Sequence, residues 1–277
     1  MINIDDEELY QSFANKSDLE KELEILHKQD KNQKIIDIIT SLPEEELDYN
    51  ILGKLARAYN NNNQCEEGLK VLLALKDEGE NDSLWNFRIG YSYYYSEKAK
   101  ENPEYLEKAK SLGRDDIWIN SEIGWAYNHL NQFEKALPYL EKVKELGRDD
   151  EWINGQIGFV LSKLGKNKEA VKYFEKAKFI NPDSEWISYH LGCCYRKLGE
   201  VQKAIETLTV IREKGEFRGW TELELAWCYA LIDEKEKARE YLKEADSYIG
   251  GEIANSPELK KDFETVKQLI SMTTYLS

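Results

Sequence analysis

The 277-residue sequence has few cysteines and prolines and no long apolar run. Four cysteines are too few for a disulfide scaffold in a chain of this length, which favours a reducing compartment. No apolar run approaches the roughly 20 residues that a membrane-spanning helix needs. The first residues also lack the basic and apolar segments of a secretory signal. We therefore expect a cytoplasmic protein that does not act with a membrane.

Positive charge is also scarce. Lys and Arg number 38 against 53 Asp and Glu, which gives a net charge of −15. A protein that binds the phosphate backbone needs a positive surface, so nucleic acid is not an expected partner. Residues 1–50 hold 14 acidic and 5 basic side chains, which form either a solvated surface or a contact for a basic partner. The high Lys, Ile, Asn and Tyr content suggests a bacterial source.

The motifs of catalysis and cofactor binding are missing. The sequence contains no phosphate loop, G-x-S-x-G, H-E-x-x-H or Gly-rich dinucleotide motif. His27, His129 and His190 lie far apart, without a nucleophile or carboxylate at a catalytic spacing. His190 and Cys193 are three residues apart, but a closed zinc site needs four ligands. We therefore predict no enzyme, no catalytic residue, no metal and no cofactor.

A repeat of 34 residues runs through the chain. Its most visible column contains four tryptophans: Trp118, Trp152, Trp186 and Trp220. Columns of small, aromatic and aliphatic residues keep the same spacing, represented in one unit by Gly124, Tyr127, Ala136 and Leu140. Each period holds two apolar runs with three- and four-residue spacing, which predicts a pair of helices. Gly147 is expected to end a helix as its C-cap, and Asp149-Asp150 is expected to begin the next helix as its N-cap.

This pattern resembles the tetratricopeptide repeat (TPR) family over roughly residues 48–250. The resemblance implies an all-α, right-handed α-solenoid in a single domain. Its expected parts are degenerate N-terminal helices in 1–47, six repeats in 48–252 and a C-terminal capping helix in 256–277. One column departs from the family, whose tryptophan usually lies two residues later in the first helix, where this chain has the following residues: Asn120, Asn154, Ser188 and Glu222.

The first helix of each pair, helix A, is expected to bury one face and to turn a second face to the concave side of the solenoid. The second face is rich in aromatic and cationic side chains, and large exposed aromatic surfaces often bind partners. The binding candidates on or beside it are Tyr91, Trp118, Trp125, His129, Trp152, Phe159, Lys163, Trp186, Tyr189, Arg196, Lys197, Trp220 and Trp227.

Two interpretations of these aromatic residues stay open. The four aligned tryptophans either pack between adjacent repeats or face a ligand. A second column favours a ligand groove, and its side chains are expected to be only partly buried: Tyr91, Trp125, Phe159 and Trp227. Cys194 and Cys228 share a column of small residues and are expected to be buried as small hydrophobes without a disulfide.

The predicted function is a non-enzymatic protein-interaction module that holds a peptide or a partner's helix in an aromatic groove. Some TPR proteins clamp an acidic chaperone tail with a Lys and an Asn four residues apart. The corresponding positions here, such as Gly53 with Arg57 and Phe87 with Tyr91, do not match, so an apolar or aromatic ligand is favoured. The alternative is a regulatory or immunity-type subunit that binds a folded partner through helix edges and the acidic N-terminal unit.

Overall fold

The computed structural model describes residues 18–95, 102–212, 214–215 and 217–272. These residues form 16 α-helices and a short 3-10 turn at Glu44–Glu46. The chain divides into two compact units, Met1–Gly147 and Arg148–Ser277, and each is described by itself. Among the described residues, no helix is both long enough and apolar enough to cross a bilayer.

The first unit contains nine described helices. They are α1 (Asp18–Lys28), α2 (Asn32–Thr40), α3 (Tyr49–Asn61), α4 (Cys65–Ala74), α5 (Lys76–Gly79), α6 (Ser83–Tyr94), α7 (Asn102–Ser111), α8 (Ile117–His129) and α9 (Phe133–Glu145). Helices α3, α6 and α8 are A helices, and each packs against the B helix of its own repeat, respectively α4, α7 and α9. Helices α1 and α2 are the predicted degenerate pair. The sequence also predicts a short helix at residues 7–13, which lies outside the described residues.

The second unit contains seven described helices. They are α10 (Glu151–Lys163), α11 (Asn167–Ile180), α12 (Glu185–Lys197), α13 (Val201–Arg212), α14 (Trp220–Leu231), α15 (Lys235–Asn255) and α16 (Pro257–Ser271). The A helices α10, α12 and α14 pair with the B helices α11, α13 and α15, and α11 and α13 each also pack against the next A helix. The predicted all-α fold of repeated helix pairs is therefore confirmed.

Aspartates cap the A helices α8 and α10, as the sequence predicts. The Asp116 and Asp150 carboxylates accept hydrogen bonds from the backbone N–H groups three residues later, at 2.8 and 3.0 Å. The Asn154 amide donates to the Asp149 carboxylate at 2.9 Å and to the Asp150 carbonyl at 2.7 Å. Asn120 makes the equivalent bonds in α8. The asparagine column therefore ties the capping loop to the helix where other TPR sequences carry tryptophan.

The glycine column lets helices A and B approach closely. A Cβ atom on Gly124 would lie 2.7 Å from a δ-carbon of Leu140, and a Cβ on Gly192 would lie 2.7 Å from a δ-carbon of Leu208. Gly147, at the predicted C-cap, has a φ of +102° in otherwise open space. Glycine is thus needed for two separate reasons, which are close packing of helices A and B and a left-handed turn after helix B.

The tyrosine column is packed between helices and links successive repeats. Tyr127 and Tyr195 are buried, and their hydroxyls donate to Glu107 and Glu175 of the preceding B helix, each at 2.6 Å. Burial, followed by the carboxylate acceptor, raises the pKa of both phenols. Tyr229 is half-buried. These contacts confirm the repeat register that the sequence predicts.

All four cysteines are buried free thiols. The expectation for Cys194 and Cys228 is confirmed, since each is almost fully shielded from solvent. Burial raises the pKa of the Cys194 thiol to about 11 and that of Cys228 to about 12. Both are therefore protonated at neutral pH and serve as small core residues.

Helix α16 begins directly after Ser256, where a serine N-cap followed by Pro257 predicts a helix start. The Ser256 hydroxyl accepts a hydrogen bond from the Leu259 backbone N–H at 3.3 Å. The apolar side of α16 packs into the last core, against residues of α14 and α15 that include Leu223 and Leu242. The sequence predicts that this helix ends near residue 275, which lies outside the described residues.

Candidate functional site

The proposed groove column is only partly shielded. Tyr91, Trp125, Phe159 and Trp227 are all half-buried, which confirms the partial burial expected of them. Cys193, the remaining member of the column, is buried. The surface around this column is different in the two units.

In the first unit, aromatic side chains of α6 and α8 form one continuous group. We call it the first aromatic cluster, and its members are Tyr91, Tyr94, Tyr95, Trp125 and His129. Ring centroids are 4.8 Å apart for Tyr91 and Tyr95, 4.6 Å for Tyr94 and Tyr95, 6.3 Å for Tyr94 and Trp125, and 4.4 Å for Trp125 and His129. Tyr95 is 56% exposed, and His129 is exposed as well. The cluster is therefore an aromatic surface that solvent reaches.

Hydrogen bonds order this cluster. The Trp125 indole donates to the Tyr94 hydroxyl, which lies 3.0 Å from Nε2 of His129. Burial lowers the pKa of His129, so its imidazole is neutral at physiological pH and Nε2 can accept the Tyr94 proton. The Tyr91 hydroxyl is hydrogen-bonded to that of Tyr95. Two successive A helices are thereby joined through their aromatic side chains.

A buried carboxylate lies beneath the same cluster. Glu122 of α8 is 7% exposed. Burial is the largest cause that raises the pKa of Tyr91, Tyr94 and Tyr95, and the negative charge of Glu122 adds to it at all three. The cluster thus combines electron-rich ring faces with a neighbouring acidic residue.

In the second unit, the aromatic residues enclose a histidine. We call this group the second aromatic cluster; it consists of Phe159, Phe174, Trp186, Tyr189, His190 and Phe217. The His190 ring lies 4.6 Å from Trp186, 5.0 Å from Phe159 and 5.2 Å from Tyr189, centroid to centroid. Burial, with smaller contributions from two nearby lysines, lowers the pKa of His190 to about 3. His190 is therefore a neutral packing residue at physiological pH.

The aligned tryptophans have different surroundings. Trp186 packs across the preceding A helix, where a Cβ on Gly155 would lie 3.0 Å from its ring. Trp220 packs against the last core, and Trp152 lies under the guanidinium of Arg148 at 4.5 Å. Trp118 is half-buried. Trp186 therefore packs against the preceding repeat, as the packing interpretation expects, whereas Trp220 packs within the last repeat.

The cationic candidates lie beside the groove column. Lys163 is exposed and lies 5.4 Å from the Phe159 ring centre. Arg196 lies 3.8 Å from the Trp227 ring centre and pairs with Glu224. Lys197 is exposed. Cations of this chain thus already contact two aromatic residues of the column.

Sequence reasoning missed several residues of this surface and misplaced others. Tyr94, Glu122 and Phe217 were not identified, although Tyr94 lies next to a candidate tyrosine in an aromatic run. Phe87 and Leu223 lie one helical turn before Tyr91 and Trp227, on the helix A face that the sequence predicts to be open, but both are buried. Phe87 lies under the Arg114 guanidinium at 3.9 Å, and Leu223 lies in the core that α16 completes.

The described residues show no metal-binding arrangement. Within 18–95, 102–212 and 217–272, no group of three or more His, Cys, Asp or Glu side chains could hold an ion. His190 and Cys193 are engaged with aromatic neighbours in α12, and burial raises the pKa of the Cys193 thiol.

Comparison with known proteins agrees with this architecture. Tetratricopeptide repeat models match residues 119–150, 153–184 and 188–214. No curated protein matches the chain. The chain is a tetratricopeptide repeat protein, and the repeats make it a protein–protein interaction module whose partners are proteins or peptides.

Three solved structures illustrate the shared fold. YrrB, described as a TPR protein with an unusual peptide-binding site, is 19% identical with a TM-score of 0.55, over 71% of this chain and 97% of that chain. MamA (AMB-1) is 18% identical with a TM-score of 0.55, over 58% of this chain and 96% of that chain. A chain of the APC/C hetero-tetramer Cut9–Hcn1 is 16% identical with a TM-score of 0.61, over 88% of this chain and 48% of that chain.

Proposed function

We propose that this interaction module is non-enzymatic and binds a peptide or a helix of its partner on the aromatic face of its A helices. The observation that carries the proposal is the first aromatic cluster, because it is ordered by hydrogen bonds and still exposes Tyr95 and His129. Rigid aromatic side chains lose little entropy on binding and are frequent interface anchors. The fold similarity to YrrB supports a peptide ligand, and the four free thiols support a cytoplasmic location.

Capture of binding proteins from the native host tests this proposal. Immobilised wild-type protein is compared with Trp125→Ala and Tyr95→Ala, and captured proteins are quantified by mass spectrometry. Loss of one hot-spot aromatic costs about 2 kcal/mol or more, so a specific partner should fall roughly 30-fold in affinity. Circular dichroism must show that both variants remain folded.

Phe179 provides a matched control. It is an aromatic residue of the B helix α11 and is 87% exposed, outside the A-helix face. Phe179→Ala should retain the partner that Trp125→Ala loses. Equal capture by all three variants would show that the aromatic A-helix face does not bind.

A second candidate function is a regulatory or immunity-type subunit that binds a folded partner. The favouring observation is that α16 packs against α14, so the chain itself covers the side of the last repeat that carries Leu223 and Trp227. The exposed acidic turn Glu44–Glu46 offers a second contact surface, which would bind a basic surface of the partner. Replacing its three glutamates with lysine should abolish capture in this case and leave it intact if the aromatic face binds.

A further inference from the structure

Rings of the first aromatic cluster pack against one another at steep angles. The Tyr94 and Tyr95 rings meet at 87°, and the Trp125 ring is inclined by 55° to that of Tyr94. Tyr95 is 56% exposed, so part of this aromatic surface is open to solvent. Ring faces carry partial negative charge and attract cations.

Two cationic side chains of this protein already contact aromatic residues of the groove column. At Phe159 a lysine approaches from four residues later, Lys163, and at Trp227 the guanidinium of Arg196 lies over the ring. In the first cluster, the position four residues after Trp125 is His129, whose pKa is lowered by burial. A neutral imidazole brings hydrogen bonds but no positive charge.

Charge at the cluster points in the same direction. Glu122 is buried in α8, and its charge contributes to the raised pKa of Tyr91, Tyr94 and Tyr95. The protein as a whole carries a net charge of −15. This net charge attracts a cationic segment and opposes an acidic one.

We propose that the first aromatic cluster receives an arginine or lysine side chain of the bound partner segment. This inference rests on the proposed function and adds the chemistry of the ligand to it. The charged end of such a side chain lies over the ring faces, and its aliphatic part packs beside them. It also revises the sequence-based expectation, which favoured an apolar or aromatic ligand.

Two synthetic peptides test the inference. They are acetylated, amidated alanine pentapeptides with either arginine or glutamine at the second and fourth positions. Binding is followed by NMR through the Trp125 indole N–H signal, assigned with Trp125→Phe. Cation–π contacts are worth about 0.5–2 kcal/mol, so the arginine peptide should bind roughly 2- to 30-fold more tightly than the glutamine peptide.

Substitutions at Tyr95 separate this contact from general charge attraction. Tyr95→Phe keeps the ring and should keep the preference for arginine, whereas Tyr95→Leu removes the ring without changing net charge and should reduce that preference. Phe179→Leu is the control and should have no effect. An unchanged arginine preference in Tyr95→Leu, or no Trp125 shift with either peptide, overturns the inference.

The outcomes also separate this inference from the proposed function. If both peptides bind equally and Tyr95→Leu weakens both, the face binds peptides without recognising a cation. The proposed function then stands and the inference fails. If protein capture is independent of Trp125 and Tyr95, the proposed function fails whatever the peptides do.

A cation from this chain itself is a further alternative. Lys98 and Lys100 follow Tyr95 in the sequence and lie outside the described residues. A Lys98→Gln/Lys100→Gln variant is compared with Lys142→Gln/Lys144→Gln, which changes the charge equally. A gain in arginine-peptide affinity confined to the first variant would mean that an internal lysine occupies the cluster, and would overturn the assignment to a partner.

Discussion

The Cζ atom of Arg196 lies 3.8 Å from the centre of the Trp227 ring. The same guanidinium donates hydrogen bonds of 2.5 and 3.1 Å to the Glu224 carboxylate. The side chains of this ion pair are only 9% and 11% exposed. Removing one member of such a pair leaves the other charge buried and uncompensated. Arg196 therefore contributes to folding as well as to the surface that carries Trp227.

Arg196→Met should destabilise the protein, because it keeps most of the apolar bulk and leaves Glu224 without its cation. We expect the free energy of unfolding to fall by about 3 kcal/mol in urea denaturation. The double variant Arg196→Met/Glu224→Gln removes both charges and should recover much of this loss. Equal stability of the single and double variants would contradict a buried ion pair.

Trp125 and Ile123 should respond differently to truncation. Ile123 is fully buried in α8, so Ile123→Ala removes core packing and should cost about 2–5 kcal/mol of unfolding free energy. Trp125 is half-buried, and Trp125→Ala should cost only about 1 kcal/mol and lower the melting temperature modestly. If Trp125→Ala unfolds the chain instead, the ring is structural and the proposed binding face is lost with it.

His190 should make stability depend on pH. Its pKa of about 3 in the folded protein is far below the value of about 6.5 in an unfolded chain. Between these values the unfolded chain binds a proton that the folded protein excludes, so stability is present above about pH 6.5 and is lost as pH falls towards 3. Urea denaturation should show a loss of about 2 kcal/mol from this group at pH 5.

The control for this pH effect is His190→Phe, which keeps a ring among the aromatic neighbours and removes the titrating group. Carboxylates also destabilise the protein in acid, so the informative quantity is the difference between the two proteins. Identical pH dependence in wild type and His190→Phe would mean that the His190 imidazole is readily protonated in the folded protein.

Glycine-to-alanine substitutions should have opposite effects at two helical positions. At Gly124 the new Cβ would lie 2.7 Å from Leu140, so Gly124→Ala should destabilise by about 1–3 kcal/mol through overpacking. At Gly251, in α15, no atom lies within 4 Å, and Gly251→Ala should stabilise by about 0.5–1 kcal/mol through helix propensity. Thermal unfolding of the two variants measures both; stabilisation by Gly124→Ala would contradict the close packing of α8 and α9.

Removal of residues 257–277 should loosen the last repeat first. The deletion uncovers Leu223 and Leu242, which α16 covers with Leu259 and Phe263. Solenoid repeats are stabilised mainly by their neighbours, so opening should begin at the uncovered end. Hydrogen exchange should accelerate in 219–250 far more than in 151–180. Uniform acceleration across both segments would indicate that α16 does not act as a local cap.

Much of the fold follows from local patterns in the sequence. The 34-residue period, the caps at Asp116 and Asp150, and the burial of Tyr127 and Tyr195 were all predictable, because each depends on spacing within one helix pair. The candidate site was less predictable. Column position identified Tyr91 and Trp125, but Tyr94 and Glu122 join them only through packing between α6 and α8.

The sequence by itself determined the repeat unit, its helix boundaries and its buried columns, since apolar periodicity and capping act over a few residues. Only the tertiary structure decided which aromatic faces are open. Leu223 is covered because α16 returns onto α14, and His190 is half-buried because rings from three successive helices pack around it. Exposure of a helix face depends on elements some 30 residues or more away along the chain. A local sequence pattern does not show which of these elements will pack on that face.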